Sequence, residues 1–206
     1  MKKGKLIILS GPSGSGKGTV VNRLIENGEY VVSISATTRQ PRDGEINCVN
    51  YYFLSKDEFV DKINNDGFLE YAQYNGNYYG TPKKAVYDKL ENGINVILEI
   101  EVQGALKVKK ICPDALMIMI SPPDYNNLEK RLRGRGDTKE EDIIKRLDIA
   151  KGELETVSEY DYLVLNLDGK LDDTVSVIRE IVNGVEHTEC KTENNVDFLD
   201  RFYDVQ

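Results

Sequence analysis

The sequence predicts an α/β protein built on a mainly parallel sheet. Short apolar runs alternate with longer amphipathic stretches along most of the chain, the pattern of strands joined by crossover helices. The first apolar run stops at a glycine-rich loop that opens a helix. Two polar stretches, 36–80 and 124–146, break the rhythm and read as excursions from the sheet.

Each element has a local reason. Residues 6–9 (LIIL) are apolar throughout and stop at a glycine turn, as a buried strand does. A helix is expected over 17–27, with Val20, Val21, Leu24 and Ile25 on its apolar face and Gly28 past its end. Residues 31–35 and 51–54 read as short strands. Ser55 and Glu58 have capping-box spacing, so a helix opens there and runs to about residue 64. Asn75-Gly76 is a tight-turn signal within the strand-like stretch 68–79. Pro82 marks a helix start, and Gly93 follows its last turn. A buried strand over 96–100, a helix over 102–111, an apolar strand over 116–120 and a helix over 125–133 follow. Thr138 and Glu141 repeat the capping-box spacing, opening a helix to about residue 157. Residues 162–165 give the last strand and 171–182 the last helix. The polar stretch after about Glu186 reads as a partly mobile tail.

Composition narrows the function. The 206 residues carry a net charge of -8, a poor match for nucleic acid or a membrane surface. An anionic ligand therefore needs a local cluster of cations and backbone N–H groups. Cys48, Cys112 and Cys190 are far apart and odd in number, which argues against a disulfide framework or a zinc site and for a reducing compartment, the cytoplasm. The basic start MKKGK precedes only four apolar residues, so it reads as the approach to a strand and not as a targeting segment.

The loop GPSGSGKGT at 11–19 carries the chemistry. It follows a buried strand and opens a helix, as a phosphate-binding loop must. Its glycines permit unusual backbone angles, so that successive N–H groups form an anion nest at a helix N-terminus. Lys17 adds a positive charge that can reach the outer phosphates of a nucleoside triphosphate. The usual Ser or Thr after the lysine, whose hydroxyl would bind Mg²⁺, is replaced by Gly18. No protein ligand for Mg²⁺ is assigned, and the ion is expected to rest mainly on phosphate oxygens and water. Arg39 and Arg42, followed by Tyr51 and Tyr52, suit a second phosphate, although two solvated loop arginines would look the same.

Beyond the loop, the chain resembles the guanylate kinases. The resemblance rests on Thr37-Thr38-Arg39, Arg42, Glu45 and Tyr51-Tyr52-Phe53, then EYAQY at 70–74, NYYGT at 77–81, LEIEVQG at 98–104, RLRGRG at 131–136 and Asn166. It covers about residues 4–184. A glycine is usual where Cys48 stands, and aspartate is frequent where Glu101 stands.

The resemblance implies a P-loop kinase core (1–35, 82–123 and 147–186), a GMP-binding insertion (36–81), a mobile lid (124–146) and a C-terminal tail (187–206). It implies transfer of the γ-phosphoryl group of ATP, with Mg²⁺, to GMP and dGMP. ATP would be held by Gly11, Pro12, Ser13, Gly14, Ser15, Gly16, Lys17, Gly18, Thr19 and Asn166. The GMP phosphate would be gripped by Arg39, Arg42, Tyr51 and Tyr79, with Glu45 ordering the arginines. Glu70 and Glu101 would accept from guanine N1 and N2, and the hydroxyls of Ser35 and Thr81 would donate to O6. Lys17, Arg39, Arg42 and the lid residues Arg131, Arg135 and Arg146 would stabilise the transferring phosphoryl group. His187, in the tail, has no catalytic role in this reading. A kinase for another monophosphate, a non-catalytic binding module and a GTPase switch are the competing readings. No DxxG or NKxD element supports the last.

Overall fold

The computed structural model describes residues 3–134 and 139–204. Its centre is a five-stranded parallel sheet in the order β2-β7-β1-β8-β9. The strands are β1 (Leu6–Ser10), β2 (Tyr30–Val32), β7 (Asn95–Glu99), β8 (Leu116–Ser121) and β9 (Tyr162–Leu165). β1 is the middle strand and is buried along its whole length, so the loop leaving its C-terminal end sits where α/β sheets bind ligands.

Helices cover both faces. On one face α1 (Lys17–Ile25) and α7 (Leu171–Asn183) bury Val20, Leu24, Val175 and Ile178 against Ile7, Leu9 and Ile118. The other face carries α3 (Lys83–Glu91), α4 (Val102–Ile111), α5 (Tyr125–Arg133) and α6 (Glu140–Leu154). Between β2 and α3 the chain builds a second sheet. It contains β3 (Ala36–Thr37), β4 (Tyr52–Phe53), β5 (Phe68–Tyr74) and β6 (Asn77–Pro82), with α2 (Lys56–Asn64) packed on it. Phe59 of α2 stacks on Phe68 at 4.3 Å and on Tyr78 at 5.3 Å. A Cβ on Gly80 would come within 3.1 Å of the Phe59 ring, so glycine lets that small core close.

The local signals at Ser55 and Asn75 act as expected. Ser55 and Glu58 form a complete capping box, and Asn75-Gly76 takes positive φ at both residues to turn β5 into β6. The strand expected over 31–35 ends early, at Val32. Ser33 N–H still reaches Ile97 O, but Ser35 O accepts from Tyr52 N–H, because the chain here crosses from one sheet to the other. Thr138, the expected cap of α6, lies outside the described residues.

The tail differs most from expectation. It folds back, with an isolated bridge from Lys191 to Tyr162, and ends in α8 (Phe198–Tyr203). Phe198 and Phe202 are buried in the larger core, and Tyr203 meets Tyr125 with ring centroids 5.9 Å apart. Two phenylalanines one helical turn apart outweigh the polar residues between them. His187 bridges α7 and the tail, its ring nitrogens 2.8 Å from Glu189 and 2.9 Å from Glu180. Among the described residues no helix is long and apolar enough to cross a membrane.

The His187 bridge makes tail docking pH-dependent. Hydrogen bonding to Glu189, and then to Glu180, raises the imidazole pKa above its ordinary value. Its contribution is fully present below the unfolded pKa of about 6.5 and is lost as pH rises through the higher folded value. Hydrogen exchange of residues 188–203 should therefore quicken more over that window than EX2 base catalysis requires. His187→Gln should remove the excess.

Candidate functional site

The loop after β1 is built so that only glycine fits at two places. Gly11 has φ 149° and Gly16 φ 83°. A Cβ at Gly11 would lie 2.1 Å from Ile120 O, and one at Gly16 would lie 2.3 Å from Asn166 Nδ2. Asn166, at the end of β9, donates to Ser15 O at 2.9 Å and so braces the loop from behind. Lys17 Nζ donates to Gly11 O at 2.9 Å, arching back over the loop. Ser15 Oγ is buried and has no partner among the described residues, an orphan donor inside an anion nest. The cavity in front of the loop is about 710 Å³ and is also walled by Tyr51, Glu99, Glu101, Ile149 and Glu153.

The second site lies between the two sheets, in a cavity of about 380 Å³ lined by Ser35, Tyr51, Glu70, Tyr79, Glu101 and Lys107 among others. Arg39 donates to Glu45 at 2.8 Å, and Arg42 N–H donates to the other oxygen of the same carboxylate at 2.7 Å. That bonding holds the Glu45 carboxyl below its ordinary pKa, the Arg39 side chain being the larger cause. The Arg39 guanidinium also lies over the Tyr51 ring, 5.5 Å from its centroid, and Tyr51 meets Tyr79 edge-on at 6.3 Å. Thr81 is buried, and its hydroxyl donates to Glu70 Oε1 at 2.7 Å. In this arrangement its proton is directed to the carboxylate and not to a base oxygen. Burial raises the Glu70 pKa, with the Thr81 hydrogen bond opposing it.

The arginines expected in a lid divide. Arg131 of α5 donates to Ser15 O at 3.3 Å and Asn166 O at 2.6 Å, and pairs with Asp168 at 2.6 Å. It is docked against the back of the loop. Arg133 pairs with Glu129 and Glu140 at the surface. Arg146 is half-buried on α6 and makes no ion pair among the described residues. Arg135 lies outside them. Tyr51, Glu99, Ile100 and Glu101 line both cavities, so the two sites are lobes of one cleft. A larger cavity of about 830 Å³ lies between the tail and β9, away from this cleft.

Two cleft residues escape sequence reading as candidates, Lys107 and Glu153, whereas Glu99 is legible with Glu101 as a carboxylate ending a strand expected to be buried. Glu153, near the end of α6, faces Lys17, and burial raises its pKa. Glu99 Oε1 would lie 3.7 Å from a Cβ at Gly18, beside the position the missing hydroxyl would occupy. Nothing in the local pattern marks Lys107 or Glu153.

The family model described as guanylate kinase matches residues 3–185. The chain is 49% identical to the guanylate kinase of Clostridium acetobutylicum over 181 residues, covering 88% of this chain and 86% of that one. It is 48% identical to that of Clostridium tetani over 199 residues, covering 97% and 93%. The crystal structure of guanylate kinase from Anaplasma phagocytophilum matches with a TM-score of 0.67 at 30% identity, covering 92% of this chain and 90% of that one. The chain belongs to the guanylate kinase family.

Cys48 shows why glycine is usual at its position. Its φ is 65°, a left-handed conformation that strains any residue with a Cβ. The turn nevertheless closes, with Cys48 N–H donating to Tyr51 O at 2.8 Å. Cys48→Gly should stabilise the fold by about 0.5–1 kcal/mol, the strain relief exceeding the added chain entropy. Cys48→Ala should not, and urea midpoints of the two variants check the difference.

Proposed function

We propose that the two-lobed cleft transfers the γ-phosphoryl group of ATP to GMP, and to dGMP, giving ADP and the corresponding diphosphate. The observation that carries this reading is the shared wall: an anion nest with a lysine and a carboxylate-lined pocket open onto the same side chains, and the Arg39 guanidinium lies over one of them, Tyr51. ATP-dependent phosphorylation of GMP is the reaction of a guanylate kinase, and the geometry supports a role for each residue in it.

The nest formed by Gly11, Pro12, Ser13, Gly14, Ser15, Gly16, Gly18 and Thr19 holds the ATP phosphates, and Lys17 neutralises charge on the outer ones. A phosphate oxygen would satisfy Ser15 Oγ. Arg39, held by Glu45, and Arg42, whose backbone the same carboxylate fixes, grip the GMP phosphate with Tyr51 and Tyr79. Glu70, oriented by Thr81, accepts from guanine N–H groups, with Ser35 and Glu101 completing base recognition. Adenine lacks the N2 amine, so AMP would leave these buried acceptors unpaired. Asn166 and Arg131 act from behind by fixing the loop. Arg146, with Arg135, is assigned to charge neutralisation at the transferring phosphoryl group.

No general base is needed. A phosphate monoester has its second pKa at about 6, so GMP presents an anionic oxygen at neutral pH. That oxygen attacks the γ-phosphorus in line, the bond to the β–γ bridging oxygen breaks, and ADP leaves. The carboxylates Glu99 and Glu153 are hard oxygen donors suited to Mg²⁺ or to its water shell. When bound with ATP, Mg²⁺ supplies charge neutralisation at the phosphates. Three free cysteines agree with a cytoplasmic setting.

A coupled assay of ADP release with ATP, Mg²⁺ and each of GMP, dGMP, AMP, UMP and CMP tests the reading; turnover with GMP no faster than with AMP overturns it. Lys17→Ala should lower kcat about 100-fold or more with the fold intact, and near-normal turnover would remove Lys17 from catalysis. Glu70→Ala should raise the KM for GMP about tenfold or more while leaving that for ATP within about twofold.

A further inference from the structure

α4 and β5 pack directly on one another, and the face of α4 turned towards β5 carries Gly104 and Lys107. A Cβ on Gly104 would sit 3.3 Å from Glu70 Oε2. Lys107, nearly one turn on, lines the same pocket and donates from Nζ to Tyr71 O at 3.3 Å. Glu70 therefore has Thr81 on Oε1 and the α4 face beside Oε2, with Lys107 spanning from the core helix to the residue that follows it.

We infer that Lys107 is a positioning residue for guanine recognition: it holds β5 against α4 and supplies the positive charge that keeps Glu70 ionised and aimed at the base. This rests on the reading of the pocket as the guanine site. The charge is needed because every other charged group on the pocket wall is acidic. Glu99 and Glu101 approach from the end of β7, Tyr79 from β6 and Tyr51 from the loop before β4. Burial and Glu101 both disfavour the Glu70 carboxylate, while Lys107 and the Thr81 hydroxyl favour it. A neutral Glu70 would bring a proton to face guanine N1–H or N2–H, where an acceptor is wanted. Lys107 is exposed, so its field is screened by salt, unlike a packing contact.

Steady-state kinetics of Lys107→Met, Glu70→Gln, Glu70→Ala and the Lys107→Met/Glu70→Gln double variant tests this in the full chain. Lys107→Met should raise the KM for GMP on the order of fivefold, with kcat and the KM for ATP little changed. The increase should shrink between about 0.05 and 0.5 M salt. The acid limb of kcat/KM for GMP should move to higher pH, while the titration of GMP's own phosphate stays in place. Lys107→Arg should restore most of the loss. In the Glu70→Gln background Lys107→Met should add almost nothing. An unchanged KM for GMP, full additivity in the double variant, or a loss equal for both substrates and independent of salt would overturn the inference. If Glu70→Ala also leaves GMP use unchanged, the guanine-site reading itself fails; if Glu70→Ala is impaired and Lys107→Met is not, only the role of Lys107 falls.

Discussion

A chain with a net charge of -8 that handles two polyanions must concentrate its positive charge and keep it aimed. Four of the cations at the cleft are accordingly tied to fixed acceptors. Arg39 is held by Glu45, Arg131 by Asp168 and the loop carbonyls, Lys17 by Gly11 O, and Lys107 by Tyr71 O. The half-exposed ion pairs among these add little to stability. Their value lies in preorganisation, because a guanidinium already held in place loses less freedom when phosphate arrives.

The fold supplies the points of attachment. The middle strand β1 delivers the loop, the neighbouring β7 delivers Glu99 and leads to Glu101, and β9 leads to Asn166. Parallel strands end on the same edge, so residues distant in sequence converge there. The second sheet contributes the opposite wall, and α4 joins the two by packing on β5. Gly14 adds a further tie: a Cβ there would lie 3.1–3.3 Å from Leu128 and Leu132 of α5. The phosphate loop and the helix bearing Arg131 are thus in van der Waals contact.

Much of this was legible in the sequence because the governing interactions are local. Ser55 and Glu58 cap a helix from three residues apart, Asn75-Gly76 turns a hairpin, and the glycines at 11–19 declare their own backbone needs. The joining of Arg39 and the Arg42 backbone to Glu45 was legible too, since the three residues lie within one loop. What escaped depends on contacts between distant segments. Glu153 faces Lys17 across 136 positions, and Lys107 meets Tyr71 only because α4 packs on β5. Thr81 directs its proton to Glu70, which follows from strand pairing. The docking of the tail is hidden for a related reason: Phe198 and Phe202 join the larger core and Tyr203 meets Tyr125, partners that no pattern within residues 187–204 reveals.

The wall common to the two lobes has a thermodynamic meaning. Tyr51, Glu99, Ile100 and Glu101 border both lobes, so a nucleotide in one meets side chains that also wall the other. Any linkage carried by that wall is reciprocal: whatever factor ATP applies to the affinity for GMP, GMP applies to the affinity for ATP. A single molecule that joins a guanosine to an adenosine through a phosphate bridge would meet both lobes at once. For it the second lobe is filled at an effective concentration set by the tether and not by the solution.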